Sequence, residues 1–104
     1  MDMEKAIVGY NALSTPSRVR ILQALAKTGE EGMASGKLAK KLDVPQNTMS
    51  TQLMGLGLAG LVNQRREGRS VIYRVNFDAI RGLIDFLASD CGGGRLKVTV
   101  KTNA

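Results

Sequence analysis

The stretch over residues 35–75 constrains the fold more than any other part of the chain. It opens with a short Lys-bearing segment and turns at Asp43-Val44-Pro45. A run of small polar residues follows, with apolar positions every three to four, and then two β-patterned stretches around Arg65-Arg66-Glu67-Gly68-Arg69. Two short helices joined by a tight turn and followed by a basic hairpin form a device for reading duplex DNA. The spacing predicts the role of each part. Leu38, Ala39 and Leu42 point inward from the first helix, which Ser35 caps, while Lys37, Lys40 and Lys41 face solvent. The second helix begins at Pro45, whose missing amide donor has no partner to lose in a first turn, and anchors through Met49, Leu53 and Leu56. Its outer face carries Gln46, Asn47, Thr48, Ser50, Thr51 and Gln52 and no carboxylate that the phosphates would repel.

Gln and Asn match the paired donor and acceptor of an adenine edge, and Ser and Thr serve a base or a phosphate. Base reading is therefore assigned to Gln46, Asn47, Thr48, Ser50 and Thr51, and phosphate contact to the flanking Lys37, Lys40 and Lys41. Gly55 and Gly57 each weaken the second helix by about 0.5–1 kcal/mol relative to Ala. Either Gly55 permits close helix packing, or both mark a compliant segment. Gly60 suits a left-handed cap.

The hairpin is expected over residues 62–66 and 70–75, with Val71, Tyr73 and Val75 alternating against Ser70, Ile72 and Arg74 and with Glu67-Gly68 as the turn. Arg65, Arg66 and Arg69 project near its tip, where they follow a phosphate backbone or enter a narrow minor groove. The competing reading is a hairpin that is merely wet.

The helices outside this stretch are apolar beyond what a small core needs. Met3, Ala6, Ile7, Tyr10 and Leu13 recur at helical spacing near the start of the chain. Thr15 and Pro16 open a helix whose inner face is Val19, Ile21, Leu22 and Leu25, ending near Thr28-Gly29, and residues 30–34 form a linker. Asn76 caps a final helix with Phe77, Ile80, Leu83, Ile84 and Leu87 on one broad stripe. Excess apolar width at both chain ends favours a homodimer through Ile7, Tyr10, Phe77, Ile80, Leu83, Ile84 and Leu87. Two-fold symmetry would then set two reading helices about 34–36 Å apart.

Length and charge fit this picture. A chain of 104 residues allows one domain, read as residues 1–91, followed by a flexible tail over residues 92–104 that begins at Gly92-Gly93-Gly94. Fifteen Lys and Arg against nine Asp and Glu leave a net charge of +6, which favours a polyanionic partner. The single cysteine, Cys91, excludes an internal disulfide and fits a reducing compartment. No apolar run approaches the ~20 residues of a membrane span, and Asp2 and Glu4 do not make a basic leader, so a cytoplasmic protein is expected. With no histidine, no nucleophile–base pair and no phosphate-cradling glycine motif, neither an enzyme nor a cofactor is expected.

Over residues 4–90 the chain resembles the ArsR (SmtB-like) family of bacterial winged-helix repressors. The resemblance rests on Ala12-Leu13-Ser14-Thr15-Pro16-Ser17-Arg18-Val19-Arg20-Ile21-Leu22, on Leu38-Ala39 through Leu42, on Gln46-Asn47-Thr48-Met49-Ser50-Thr51-Gln52-Leu53, and on Ala59-Gly60-Leu61-Val62 leading into the Arg-rich turn. It implies a mainly α fold with a β-hairpin wing and five main helices, and a homodimer that binds an operator and releases it when an inducer acts. The position of Gln52 is commonly histidine in that family, which implies a neutral amide contact from Gln52 to the DNA backbone.

Family members that sense soft metals often carry Cys-x-Cys in the helix corresponding to residues 36–42, and others use Asp and His ligands in the last helix. This chain has neither. A subgroup places adjacent cysteines after the last helix, where this sequence has Cys91 followed by Gly92. One thiolate falls short of the three or four ligands of a closed soft-metal site. Cys91 is read as an unreactive helix-end residue and no metal site is expected. An arsenite- or thiol-responsive sensor using Cys91, or a protein-interaction module on the same scaffold, are the alternatives.

Overall fold

The computed structural model describes residues 1–90, so the expectations for Cys91 and for residues 92–104 lie outside the described residues. The elements run α1 (Met3–Ala12), α2 (Pro16–Ala26), β1 (Met33–Ala34), α3 (Ser35–Leu42), α4 (Gln46–Leu58), β2 (Val62–Glu67), β3 (Ser70–Val75) and α5 (Phe77–Asp90). The five helices and the hairpin are those the sequence predicts. Asp2 caps α1 by accepting from the Lys5 amide at 2.8 Å, and Thr15 accepts from the Arg18 amide at 3.4 Å with Pro16 in the first turn of α2. Asn76 accepts from the Ala79 amide at 3.3 Å before α5 and also donates to the Gly60 carbonyl at 3.0 Å, which ties the start of α5 to the end of α4.

The two helices of the helix-turn-helix end in the same way. After α3 the Val44 amide donates to the Ala39 carbonyl at 2.9 Å and Asp43 to Lys40 at 3.3 Å. After α4 the Leu61 amide donates to Leu56 at 3.0 Å and Gly60 to Gly57 at 3.0 Å. Such paired bonds need a left-handed residue at the turn. Gly60 supplies it after α4 as predicted; after α3 it is Asp43, at φ 54°, in a region that Asp tolerates better than most residues.

Three local expectations shift. Ser35 lies inside α3, the cap position falls to Ala34 without a side-chain bond, and the Ser35 hydroxyl instead accepts from Gln46. Pro45 takes the extended cap conformation, at φ −56° and ψ 144°, and α4 starts one residue later at Gln46. The linker over residues 30–34 contains a strand. In it β1 pairs antiparallel with β3, Met33 opposite Tyr73 and Ala34 opposite Ile72, giving a sheet in the order β1-β3-β2. Two residues of strand carry no period for a sequence to display, and the pairing depends on Gly32. At φ 70° a Cβ there would stand 2.2 Å from the Tyr73 carbonyl oxygen.

Ile21, Leu25, Leu38, Met49, Leu53, Leu56 and Leu61 are fully buried, which places α2 in the centre, against α3, α4 and β3. Each such side chain contributes roughly 1.5–3 kcal/mol of burial. The apolar stripe predicted for α1 divides: Ala6 is buried and Tyr10 and Leu13 pack half-buried against the core. Ala6, Gly9 and Ala12 are buried, while Met3, Ile7 and Val8 stay exposed. Small residues let α1 approach α5 closely: a Cβ on Gly9 would lie 2.8 Å from a Leu83 methyl, and the Tyr10 hydroxyl donates to the Leu83 carbonyl at 2.7 Å.

Candidate nucleic-acid interface

The left-handed turn at Asp43 swings α4 across α3, so that Met49, Leu53 and Leu56 face the core and the intervening polar side chains face out. Gln46, Asn47, Thr48, Ser50 and Thr51 are all exposed on this outer side, and Gln52 is half-buried at its edge. α4 carries no formal charge anywhere along its length.

The exposed amides and hydroxyls are partly ordered before any ligand arrives. Gln46 donates to the Ser35 hydroxyl at 3.2 Å and to Ser50 at 3.3 Å, which braces the first turn of α4 against α3. The Asn47 carboxamide oxygen accepts from the Thr48 amide at 2.9 Å, and the Thr51 hydroxyl donates to the Asn47 carbonyl at 3.0 Å. Thr48 keeps its hydroxyl free among the described residues. Gln52 accepts from Arg18 Nε at 2.8 Å. Sequence reasoning did not single out Arg18. The signal that marks it is Gly55, because a Cβ at that position would stand 2.5 Å from an Arg18 terminal nitrogen. The close approach at Gly55 is that of an arginine side chain from α2, which neither of the two roles left open had named. Gly57 meets no comparable obstruction, since its nearest atom, a Val62 methyl, would be 4.0 Å away.

Cations flank the uncharged helix on two sides. Lys37, Lys40 and Lys41 are exposed on α3 and pair with no acid among the described residues. Across α4 the hairpin runs in register from Val62 opposite Val75 to Glu67 opposite Ser70. The turn is therefore Gly68-Arg69, one residue beyond the expected Glu67-Gly68, and Gly68 at φ 60° fits the first central position of a II′ turn. Alternation along β2 sends Arg65 and Arg66 to opposite faces. Arg66 and Arg69 are exposed and unpaired among the described residues.

Arg65, unlike Arg66 and Arg69, is engaged within the subunit. Its guanidinium bonds Glu67 at 3.1 Å and the carbonyls of Glu31 at 2.8 Å and Glu30 at 3.4 Å. Arg74 pairs with Glu30. Together these bonds clasp the wing to the loop before β1, a link between segments more than thirty residues apart that residue spacing does not display.

The residues expected at a subunit interface divide into two groups. Ile7 is 49% exposed and Leu87 44%, Phe77 is also exposed, and Tyr10, Ile80 and Ile84 are half-buried. Leu83 is only 3% exposed and packs inside its own subunit against Gly9, so it is unavailable to a partner. Among the described residues no three His, Cys, Asp or Glu side chains come together as metal ligands, and no helix is long and apolar enough to cross a membrane.

A family profile described as a helix-turn-helix domain matches residues 13–65. The nodulation protein NolR of Rhizobium meliloti is 33% identical over 91 residues, covering 88% of this chain and 72% of that protein. The structure is also similar to the homodimeric winged helix-turn-helix DNA-binding domain of a possible ArsR-family transcriptional regulator from Mycobacterium bovis. There the TM-score is 0.69 at 26% identity, with 93% of this chain and 90% of that one covered. The chain belongs to the ArsR (SmtB-like) family. A further member of that similarity group, the biofilm growth-associated repressor of Agrobacterium fabrum, is 40% identical over 75 residues, covering 72% of this chain and 62% of that protein. As an ArsR-family winged helix-turn-helix protein, the chain is a DNA-binding transcriptional regulator and not an enzyme.

Proposed function

We propose that this regulator is a repressor that binds an inverted-repeat operator as a homodimer and is released by an inducer. One observation carries the reading: an uncharged polar face on α4 lies between two groups of cations, on α3 and at the wing tip, that are unpaired among the described residues. Base edges demand neutral donors and acceptors, whereas phosphates reward cations, and the surface separates the two in that order. Gln46, Asn47, Thr48, Ser50 and Thr51 read bases, and Lys37, Lys40, Lys41, Gln52, Arg66 and Arg69 hold the backbone. Ile7, Tyr10, Phe77, Ile80, Ile84 and Leu87 form the subunit contact, where burying exposed apolar area stabilises association. The Agrobacterium relative is itself a repressor, which supports repression here.

The test selects binding sites from a random duplex pool with the full chain. The selected sequences should form an inverted repeat, with at least about 1,000-fold weaker binding to scrambled duplex at the same salt concentration. Equal affinity for both duplexes overturns specific reading. The double variant Ile7→Asp/Leu87→Asp should sediment as a folded monomer and lose the cooperative complex with the repeat.

A further inference from the structure

Arg18 belongs to α2, outside the surface assigned to DNA, yet its side chain reaches α4 and bonds Gln52. The approach needs Gly55. A Cβ at that position would stand 2.5 Å from Arg18 Nη2 and 2.9 Å from Cζ. A mid-helix glycine that lowers helix propensity thus makes room for one guanidinium.

The bond decides which end of the Gln52 amide faces outward. A guanidinium has only donors, so it takes the carboxamide oxygen, and Arg18 Nε does so at 2.8 Å. Nε2 is then left with two N–H groups and no partner among the described residues. A free glutamine offers a donor and an acceptor side by side, the pattern that matches adenine. With its oxygen held by Arg18, Gln52 keeps Nε2 as its unengaged donor group.

We propose that Arg18, seated over Gly55, is a positioning residue that holds the Gln52 carboxamide oxygen so that Nε2 donates to a hydrogen-bond acceptor on DNA. The proposal rests on the DNA-reading function argued above. The acceptor is a phosphate oxygen or a base atom such as purine N7 or thymine O4. Arg18 acts through Gln52 and makes no phosphate contact of its own.

The test uses the full chain and the duplex it selects from a random pool. Variants are Arg18→Met, Gln52→Met, their double, and Gly55→Ala, with affinity measured by fluorescence anisotropy over a salt series. Each single variant at Arg18 or Gln52 should lose about tenfold, and the double should lose no more than either alone. Arg18→Met should leave the salt slope unchanged, whereas a direct phosphate contact would lower it by about 1. Gly55→Ala should show the same loss with an unlowered melting temperature, because the displaced arginine is a long, half-exposed side chain and Ala favours the helix. If Arg18→Met fails to fold, the Gly55→Ala/Gln52→Met cycle gives the same comparison.

Scanning single base pairs separates the two acceptors. A Gln52→Met loss confined to one base pair identifies a base, and a loss indifferent to sequence identifies a phosphate; either outcome supports the donor role. Additive losses in the double variant, a slope lowered by one, or full affinity in Gly55→Ala overturns the proposal. A wild-type chain that selects no sequence at all overturns the DNA-reading function as well, an outcome distinct from a selected sequence with additive losses.

Discussion

The reading helix and the wing lie side by side on one surface and are built on opposite plans. α4 has thirteen residues and no formal charge, and its Gln46 and Gln52 side chains are held by bonds to Ser35, Ser50 and Arg18. The wing concentrates Arg65, Arg66 and Arg69 around one turn, two of them unpaired among the described residues. Neutral groups held in place lose little freedom on meeting a base edge, which favours discrimination. Long free cations gain mainly by releasing counterions and respond to any duplex. The contrast teaches how, under the proposed function, specificity and affinity would occupy separate elements.

That contrast can be broken by substitution. The largest effect is expected from Arg66→Ala/Arg69→Ala, which should lower affinity for selected and scrambled duplexes alike, on the order of 10- to 100-fold, with a salt slope reduced by about 2. A loss confined to the selected duplex would make the wing a reader. Thr48→Ala should weaken the selected duplex by about fivefold, shift the preferred base at one position and leave the salt slope unchanged. If scrambled duplex suffers equally, the helix is only another backbone contact. The smallest effect belongs to Arg65→Ala. Its guanidinium is engaged by Glu67 and by the loop carbonyls, so affinity should fall less than about threefold at an unchanged slope. Amide exchange at the wing base should accelerate instead. A slope reduced by one would return Arg65 to the phosphate-binding group.

Much of this was legible in residue order. Thr15-Pro16, Asn76, Gly60 and the period of Met49, Leu53 and Leu56 each carry a local rule, and each element formed where its rule predicts. The charge pattern of the surface is likewise a property of order, since Lys37, Lys40 and Lys41 must flank the helix they precede. Turns shifted by one residue at Pro45 and Gly68, within the range where competing local geometries differ little in energy.

What order did not display were the contacts between distant segments. Arg18 and Gln52 are 34 positions apart, as are Arg65 and Glu31, and no period links either pair. On α1 the period did not say which residues of the stripe are buried; the close approach of α5 at Gly9 selected small residues for burial and left Ile7 exposed. Leu83 moved the other way, from an expected subunit contact into the core.

The sequence by itself determined the helix-turn-helix, the hairpin and the separation of neutral from cationic residues, because capping, periodicity and net charge are local quantities that survive any packing. Only the tertiary structure decided which apolar side chains remain for a partner, which arginine is free, and why Gly55 stands in the reading helix. Those outcomes depend on the distance between surfaces far apart in the chain. A guanidinium that fits over a glycine at 2.5 Å from an absent Cβ is a fact of packing, not of order.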